Sequence, residues 1–558
     1  MFTAVPLSRS VATIAMRSLL LAPVLVLVLA GSGPVRAQEP VVPLPSFAEL
    51  EAAGAKVGEI RIRNQNIFDT DDPKEDKLLF RWANALHIQT RVGVIERALL
   101  FNRGEPLSVR LIDETERVLR SNRYLYDVRI RPVAYRDGLV DIEVATRDSW
   151  TLDPGISAGR AGGANSSSLT LREYNLLGTG IAVSYGRSNT VDRSSNEFQI
   201  SNDRAFGGWT SLSYSLAKNS DGQRQAIKIA QPFYALDTRW AAGFTASRDD
   251  RIDAIYNAGS VASQYRHRQN QAEVFGGWSE GLVDGWVRRY SIGINQQDDA
   301  YALEPALRAP AQLPRDEKLV APFVRFELIE DRFEKSRNRN QIERPEFFAL
   351  GLASTVQLGR ATTGLGSTRD AWLYAASVSR GFEPLPDHTL TASAAISGQY
   401  ADGQVRRQRL GGQAQYYLRQ NKQWLFYAAA SGDTLTNPDP SDALLLGGDN
   451  GLRGYPLRYQ SGNRRALFTL EERLYTDQYW YRLLRVGGAA FVDVGRAWGG
   501  SNVNTLDPGW LGNLGFGLRF FSVRSSFSNV LHVDVAFPIG PADGVKKVQF
   551  LVKTKASF

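Results

Sequence analysis

A loop arginine and a strand aspartate in the C-terminal part of this 558-residue chain are the residues best suited to one specific interaction. Arg453 lies in Leu452-Arg453-Gly454-Tyr455, after the glycine-rich run GGDNG. Asp493 lies in Phe491-Val492-Asp493-Val494-Gly495, where alternation predicts a strand that turns the two valines to one face and Asp493 to the other. A guanidinium and a carboxylate can form a bidentate, charge-assisted pair. These residues could therefore fix a long loop against a strand.

The residues around this pair could strengthen it. Gly454 allows the backbone to turn tightly, and Tyr455 combines an apolar ring with a polar hydroxyl. Glu471 and Arg473 fall on the predicted inward face of a neighbouring strand and could complete a charged network. In partly shielded surroundings an ion pair at contact gains about 4 kcal/mol before the cost of desolvation is subtracted. That is enough to favour one position of a long loop.

Other patterns give weak support for catalysis. Gly155-Ile156-Ser157-Ala158-Gly159 matches G-x-S-x-G, but a nucleophile elbow needs a strand, a sharp turn and a helix, whereas Ser157 lies in an alternating run. A lipid hydrolase that uses Ser157 is kept as an alternative. The chain has no cysteine, and no two of its four histidines form a close pair: His87, His267, His388 and His532. We therefore predict that the protein is not an enzyme and has no catalytic residue, metal site or cofactor.

The first residues have the layout of a cleavable secretory signal. Arg9 and Arg17 precede an apolar run of residues 19–30, and Val35-Arg36-Ala37 forms a small-residue cleavage site. The apolar run is too short to span a bilayer as a helix. We predict a signal peptide over residues 1–37, then a linker over residues 38–57.

Residues 58–150 predict one small α/β domain. An alternating strand at 58–62 is followed by an amphipathic segment with Leu78, Leu79, Trp82 and Leu86 at helical spacing. Further helices are predicted at 92–101 and after Ser108, a plausible N-cap. Two strands, at 126–131 and 139–145, are joined by the hairpin signal Asp137-Gly138. Val128 and Ile130 are predicted to be buried.

Residues 151–558 alternate repeatedly between apolar and small polar side chains. In one such run Tyr290, Ile292 and Ile294 alternate with serine, glycine and asparagine. Strands with lipid outside and water inside have this pattern, and a closed barrel leaves no backbone edge in hydrocarbon. The formal net charge of +8 is a mild bias and indicates no nucleic-acid partner. These residues predict a transmembrane antiparallel β-barrel with an even number of strands.

Several motifs together resemble the BamA/TamA family of outer-membrane assembly and translocation barrels, the bacterial surface antigen superfamily. The resemblance rests on the Arg453 loop with its GGDNG lead-in and on the FVDVG strand. It extends to NLLGTG at 175–180, VDVAFP at 533–538 and an alternating C-terminal run that ends on an aromatic residue. The order of elements in residues 58–150 resembles a single POTRA domain. The resemblance implies sixteen strands, although about twenty alternating runs can be marked at roughly ten residues each.

The resemblance also implies a function and a location. The Arg453 loop would fold into the lumen and dock on Asp493, with Gly454, Tyr455, Glu471 and Arg473 around it. The POTRA domain would lie in the periplasm and capture client strands at the edge formed by Tyr126, Val128 and Ile130. Phe550, Val552 and Phe558 would form the C-terminal insertion signal. Implied partners are outer-membrane lipid, unfolded or extended client polypeptide and accessory lipoproteins, around a monomeric barrel.

The predicted barrel has a weak seam and an asymmetric set of connections. Pro154, Gly155 and Gly159 weaken the first strand, so we expect it to pair poorly with the last one and to open sideways. Residues 296–318, 330–343 and 431–463 are predicted as extracellular loops, and 420–422 as a periplasmic turn. Tyr475 and Tyr479–Tyr481 are predicted to form an interfacial girdle. A plugged barrel that serves as a surface-exposed structural protein or adhesin is the alternative from a different functional class.

Overall fold

The computed structural model describes residues 44–340, 342, 346–439, 442–481, 483–500, 507–522, 530–540 and 545–555, without the side chains of residues 156–158, 522, 554 and 555. Pro45–Phe558 forms one compact unit. The predicted signal peptide, residues 1–37, lies outside the described residues.

A three-stranded sheet forms the N-terminal part of this unit. Its strands are β1 (Lys56–Gln65), β2 (Leu125–Arg136) and β3 (Leu139–Asp148), in the order β1-β3-β2. β1 and β3 are parallel, whereas β2 and β3 form the predicted hairpin. Alternate residues such as Val140, Ile142 and Val144 are fully buried against the helices. β2 therefore lies at a sheet edge.

Four helices accompany this sheet: α1 (Phe47–Ala52), α2 (Leu78–Leu86), α3 (Val92–Glu96) and α4 (Val109–Ser121). α1 corrects the prediction of a linker over residues 38–57, because Ser46 and Glu49 form a capping box that starts a helix there. α3 is shorter than predicted, since the chain tightens after it into turns such as Ala98 N–H to Ile95 C=O. α4 begins after Ser108, whose side chain accepts a hydrogen bond from the Leu111 amide, as predicted. None of the helices in the described part of the chain is long and apolar enough to cross a membrane.

Twenty antiparallel strands form a closed barrel. The prediction of sixteen strands is wrong, and the count of about twenty alternating runs is right, because these runs pair as whole strands rather than as halves of longer ones. The barrel strands are β4 (Leu152–Ala161), β5 (Ala164–Glu173), β6 (Ile181–Asn189), β7 (Ser194–Ala205), β8 (Thr210–Asn219), β9 (Gly222–Gln231), β10 (Trp240–Asn257), β11 (Ser260–Val283), β12 (Trp286–Ala302), β13 (Glu317–Glu330), β16 (Ala353–Ala361), β17 (Ala371–Phe382), β18 (His388–Ala401), β19 (Gln404–Arg419), β20 (Trp424–Thr436), β23 (Arg464–Trp480), β24 (Leu484–Trp498), β25 (Leu511–Ser522), β26 (Val530–Ile539) and β27 (Gln549–Lys555). Two short ribbons lie in connections: β14 (Phe333–Ser336) with β15 (Glu346–Ala349), and β21 (Leu444–Leu446) with β22 (Gln460–Gly462).

The outer wall of the barrel is apolar, as the alternation predicts. Ile292 is 70% exposed, and its neighbours across the strands, Gly276 and Val324, continue the same outward row. Val492 and Val494 are also exposed, whereas Asp493 between them is buried inside. Tyr475 corrects the predicted girdle. It faces inward and is buried, because it shares the parity of Glu471 and Arg473.

The connections lie at two ends. The near end is the one where β4 starts after β3, and the far end is opposite. Since the strands alternate in direction, the connections at 303–316 and 437–463 lie at the far end, and 420–423 lies at the near end. Residues 330–343 belong to the connection 331–352, which lies at the near end with the N-terminal sheet, so the three predicted extracellular loops do not lie at one end of the barrel. A long polar connection can lie at either end of the barrel. Only the number of strands that precede it along the chain shows at which end it lies.

Candidate functional site

Arg453 docks inside the barrel on Asp493 of β24. Its Nε donates to Asp493 Oδ2 at 2.8 Å, and its Nη2 donates to Asp493 Oδ1 at 2.9 Å. The guanidinium also lies flat over the Phe491 ring, 3.3 Å from the ring centre. Both charged side chains are buried. The two hydrogen bonds and the stacked ring fix the guanidinium in position and in orientation, which a lysine could not reproduce.

A larger charged network surrounds this pair. Arg453 Nη1 donates to Glu471 Oε2 at 3.1 Å, and Arg473 Nε donates to Glu471 Oε1 at 3.1 Å. Arg519 of β25 pairs with Asp534 of β26 at 2.5 Å. The six buried ionised side chains are Arg453, Arg473, Arg519, Glu471, Asp493 and Asp534. Three cations face three anions, so the network as a whole is neutral. Removal of any one charge would leave an uncompensated buried charge behind.

Neutral groups complete the attachment of the loop. Asn513 donates to Asp493 Oδ2 at 2.8 Å and accepts from the Gly454 amide at 3.0 Å. A Cβ at Gly454 would lie 2.7 Å from Asn513 Cβ, so only glycine allows this approach. The Tyr455 hydroxyl donates toward the carbonyls of Gly512 and Ile539, and its ring is fully buried. The tip of the loop is therefore held by β24, β25 and β26 together.

The structure thus brings together Arg453, Gly454, Tyr455, Glu471, Arg473 and Asp493, the residues singled out in the sequence. Sequence reasoning did not find Asn513, Arg519 and Asp534. Asn513 and Asp534 do lie at inward parity in alternating strands, which is the signal that could have found them.

The loop also reaches the opposite side of the barrel mouth. Arg458 forms a bidentate pair with Asp192 of the β6–β7 connection, with both bonds at 2.6 Å, and its guanidinium stacks on Tyr256. These hydrogen bonds from Arg458 hold the pKa of Asp192 below its usual range. Leu457 donates its amide to the Gly162 carbonyl in the β4–β5 turn. Arg458 and Asp192 lie 266 positions apart, and no sequence pattern linked them.

A second loop enters the barrel from the near end. In the connection 331–352, Ile342 is fully buried inside the barrel with Tyr417, Leu425 and Phe521. The Arg339 carbonyl accepts from Arg473 Nη1 at 2.9 Å and from the Tyr475 hydroxyl at 2.8 Å. Arg473 therefore joins the two loops, because it bonds both Glu471 and the near-end backbone.

The same near-end loop contacts helix α4. Lys335 Nζ donates to Glu116 Oε1 at 2.9 Å, and the Arg117 guanidinium lies 4.5 Å from the centre of the Phe333 ring. Glu114 of α4 accepts from the Leu236 amide in the β9–β10 connection, and burial raises the pKa of this carboxyl. A continuous chain of contacts therefore runs from α4 through Lys335 and Arg339 to Arg473 and the Arg453 loop.

Other parts of the lumen are open. A cavity of about 710 Å³ lies along β16–β20 and is lined largely by small side chains, among them Ser377, Ser379, Ser393 and Ser431. The two loops pack against the part of the wall that runs from β19 to β26. The interior is thus filled where the two loops pack and open beside them, and small polar side chains suit such an open lumen wall.

The barrel closes at a narrow seam between β27 and β4. Among the described residues, these strands share the registered pair Val552 with Arg160, whereas β26 and β27 share seven. Phe550 is exposed on the outer wall, and Val552 lies at the seam. Phe558, the third residue of the predicted C-terminal signal, lies outside the described residues. β4 itself pairs along its whole length with β5, and the weak pairing with the last strand that Pro154, Gly155 and Gly159 predict stays a prediction.

Ser157 lies within strand β4, and the chain continues as strand on both sides of it. A nucleophile elbow needs a strand-to-helix turn at the serine, so the backbone here does not fit one. Among the described residues, no group of three or more histidine, cysteine, aspartate or glutamate side chains could hold a metal ion.

The predicted client edge, Tyr126, Val128 and Ile130, lies on β2 at the edge of the N-terminal sheet. Val128 is fully buried on its side-chain face. Its backbone amide is bonded by the Asp127 side chain, and its carbonyl accepts from Arg120. A strand added to this edge would therefore begin beyond Val128, at Ile130.

Comparisons with known proteins give structural similarities alone. No family model matches this sequence, and no curated protein matches it. The chain is similar to BamA from Haemophilus ducreyi lacking POTRA domains 1–3, at 13% identity and a TM-score of 0.41, covering 88% of this chain and 84% of that one. It is also similar to CdiB from Acinetobacter baumannii, at 12% identity and a TM-score of 0.45, covering 89% of this chain and 74% of that one. The similarity to CdiB from Escherichia coli has 12% identity and a TM-score of 0.46, covering 89% of this chain and 76% of that one. The functional proposal therefore rests on the contacts of this chain.

Proposed function

We propose that this protein is an outer-membrane barrel of the BamA/TamA type that inserts or translocates polypeptides and uses no chemical energy source. Residues 58–150 act as a single periplasmic POTRA domain, so the near end faces the periplasm and the far end faces outside. The apolar outer wall and the closure of twenty strands support a position in the membrane.

One observation carries the proposal: two loops enter the lumen from opposite ends and are linked through the Glu471–Arg473 pair. A purely structural barrel could fill its interior with wall side chains, as small barrels do. Here the interior is filled by segments that are attached through charged, hydrogen-bonded contacts. Such contacts can be broken and remade as a unit, which suits a removable plug.

Client capture is assigned to the β2 edge. An extended client adds a strand through backbone hydrogen bonds, which depend little on its sequence. A bound client would lie beside α4, whose Glu116 and Arg117 hold the near-end loop. Capture at this edge could therefore loosen the near-end loop.

The test uses the whole protein reconstituted in phospholipid vesicles with an unfolded outer-membrane protein as client. A photoreactive amino acid at Arg131, beyond the capped start of the β2 edge, should crosslink to the client. The same group at Arg63, on the opposite edge strand β1, is the matched control. Crosslinking at both positions alike, or at neither, would contradict client capture at β2.

A disulfide across the seam separates insertion from translocation. Arg160→Cys with Val552→Cys joins two residues that are registered across the described part of the seam, and the chain has no other cysteine. If clients leave sideways into lipid, the oxidised variant should lose insertion, and reduction should restore it. If clients pass through the lumen, oxidation should leave transport intact. Loss of activity that reduction does not restore would mean that the substitutions themselves are harmful.

The second candidate is a plugged structural or adhesin barrel, in which the two loops would stay attached. Deletion of residues 58–148 distinguishes it, because recognition by an external partner should survive this deletion. Transport should not survive it. Ser157→Ala tests the hydrolase alternative, which the strand conformation of residue 157 does not favour.

A further inference from the structure

Helix α2 exposes a continuous apolar face. Leu78, Leu79, Trp82 and Leu86 are 66%, 62%, 61% and 76% exposed. At 100° per residue they fall within about one third of the helix circumference. Isolated exposed leucines need no explanation, but four large apolar side chains on one nine-residue helix form a patch.

The opposite face of α2 is firmly attached, so the apolar face is presented in a fixed direction. Phe80 stacks on Phe68 with ring centres 4.0 Å apart. Asn84 donates to the Phe68 carbonyl at 2.8 Å and accepts from the Phe68 amide at 3.1 Å. The segment after the helix is held as well, since Asp148 accepts from both His87 Nε2 and the Thr90 amide. The helix is therefore not a loose segment that could turn its leucines inward.

One end of this segment meets the rim of the barrel at the β23–β24 turn. Phe68 and Phe80 belong to a buried cluster that contacts Leu483 in that turn. Beside it, Trp480 and Tyr481 are exposed, as aromatic residues are at a membrane interface.

The other end meets the rim at the β5–β6 connection. Arg91 donates from Nε to the Leu177 carbonyl and from its amide to the Gly178 carbonyl. Ile88 and Val92 flank Arg91, and both are exposed, as is Leu177. Exposed apolar side chains thus run from one rim contact to the other, past the near-end side of the seam.

We propose that the α2 face binds the phospholipid surface of the membrane that holds the barrel, as an interfacial helix beside the rim. This inference rests on the proposed function, because it needs the barrel to lie in a membrane. Continuity with the exposed rim residues selects lipid over a second copy or a client as the occupant. The helix would hold the N-terminal sheet against the membrane, next to the seam.

The charges of the segment indicate which force drives binding. Residues 69–91 contain five acidic and four basic side chains. Electrostatic attraction to anionic lipid is therefore not the source of affinity, and apolar burial is. Binding should occur on zwitterionic phosphatidylcholine and should persist in high salt.

Single cysteines test this directly, because the chain has none of its own. The variants Leu86→Cys, Ile292→Cys and Arg129→Cys, each in the whole protein, are labelled with bimane and reconstituted in phosphatidylcholine nanodiscs, one chain per disc. Leu86 reports the α2 face, Ile292 the outer wall, and Arg129 an exposed polar site on β2. Nitroxide-labelled phospholipid reports lipid contact, and iodide reports contact with water.

Nitroxide lipid should quench the labels at positions 86 and 292 and spare the label at 129. Iodide should quench the label at position 86 at least about threefold less than the label at 129. Strong iodide quenching at 86 without nitroxide quenching would overturn the inference. So would shielding at 86 that appears in crowded vesicles and vanishes in single-chain discs, since a second copy would then cover the face. Absence of nitroxide quenching at 292 would instead refute the proposed membrane barrel.

Discussion

Removal of the Arg453 guanidinium should release the far-end loop. In Arg453→Ala, Asp493 and Glu471 keep their buried positions but lose a shared partner, so three anions face two cations. The bidentate pair, the bond to Glu471 and the stacking on Phe491 are lost together. Breaking a buried pair from one side costs about 3–5 kcal/mol.

Arg496 offers a matched control, because it lies on the same strand as Asp493. It forms a bidentate pair with Asp507 at 2.7 and 3.2 Å, but both side chains are partly exposed. Solvent screens an exposed pair, so Arg496→Ala should change little. The two variants remove the same group in similar geometry and differ in burial.

Hydrogen exchange of the loop amides measures the effect where it occurs. Local opening of 452–455 should become about a hundredfold or more frequent in Arg453→Ala, since each factor of ten corresponds to about 1.4 kcal/mol. The double variant Arg453→Ala with Asp493→Ala restores the charge balance. Its loss of free energy of loop opening should therefore be smaller than the sum of the losses in the two single variants.

Two results would refute this reasoning. One is loop protection in Arg453→Ala that equals that in Arg496→Ala. The other is strict additivity in the double variant, because independent side chains would then hold the loop. Either would mean that hydrophobic burial of Leu452 and Tyr455 suffices.

Three further outcomes follow from the two loops. Gly162→Val should displace the far-end loop, because its Cβ would lie 2.0 Å from the Leu457 amide nitrogen. Gly163→Ala should not displace it, because Gly163 also has a positive φ but its Cβ would meet open space. Protease cleavage of the loop reports the difference. The pairing with Arg458 lowers the pKa of Asp192. The stabilisation of the far-end loop by this pair should therefore be complete above the ordinary aspartate pKa of about 3.9 and be lost as the pH falls through the lowered value. A pH series of the same protease cleavage measures this loss. Ile342→Ala should weaken the near-end plug by about 2–5 kcal/mol and raise the frequency of channel opening in planar bilayers, and an unchanged opening frequency would count against a plug.

The alternation of the sequence was sufficient to predict the strands and the inward parity of Asp493. Side-chain period in a strand is two, so Val492 and Val494 could only lie opposite to it. The alternating runs also indicated about twenty strands, and only the sixteen implied by the resemblance was wrong. The end assigned to residues 330–343 was inferred from length and polarity, and these do not show at which end of the barrel a connection lies.

The contacts between distant loops could not be predicted. Arg458 and Asp192 meet only because a closed barrel brings its far-end connections around one mouth. Lys335 and Glu116 meet because the near-end loop lies beside α4. Each of these four residues alone resembles an ordinary exposed charge. The ion pairs form because the barrel closes and brings distant connections together, and no local sequence pattern marks them. The exposed side of α2 was predicted as an amphipathic face, yet which side is covered depends on Phe68 and Phe80.

The far-end loop also bridges the seam, and this contact predicts how plug and seam are coupled. On one side Lys553 of β27 donates from Nζ to the Asp449 carbonyl at 2.9 Å, and on the other Leu457 donates its amide to the Gly162 carbonyl. Each bond contributes about 1 kcal/mol, which is substantial beside the registered pair Val552 with Arg160 that β27 and β4 share in the described part of the seam. Release of the loop should therefore let the two edges separate more often.

The cysteine pair at positions 160 and 552 measures that separation. Disulfide formation should slow when Gly162→Val or Lys553→Ala is added, because the edges then spend less time in register. Arg496→Ala, which leaves the loop attached, should not slow it. If all three backgrounds oxidise at the rate of the cysteine pair alone, the loop does not hold the seam, and plug release and lateral opening are independent events.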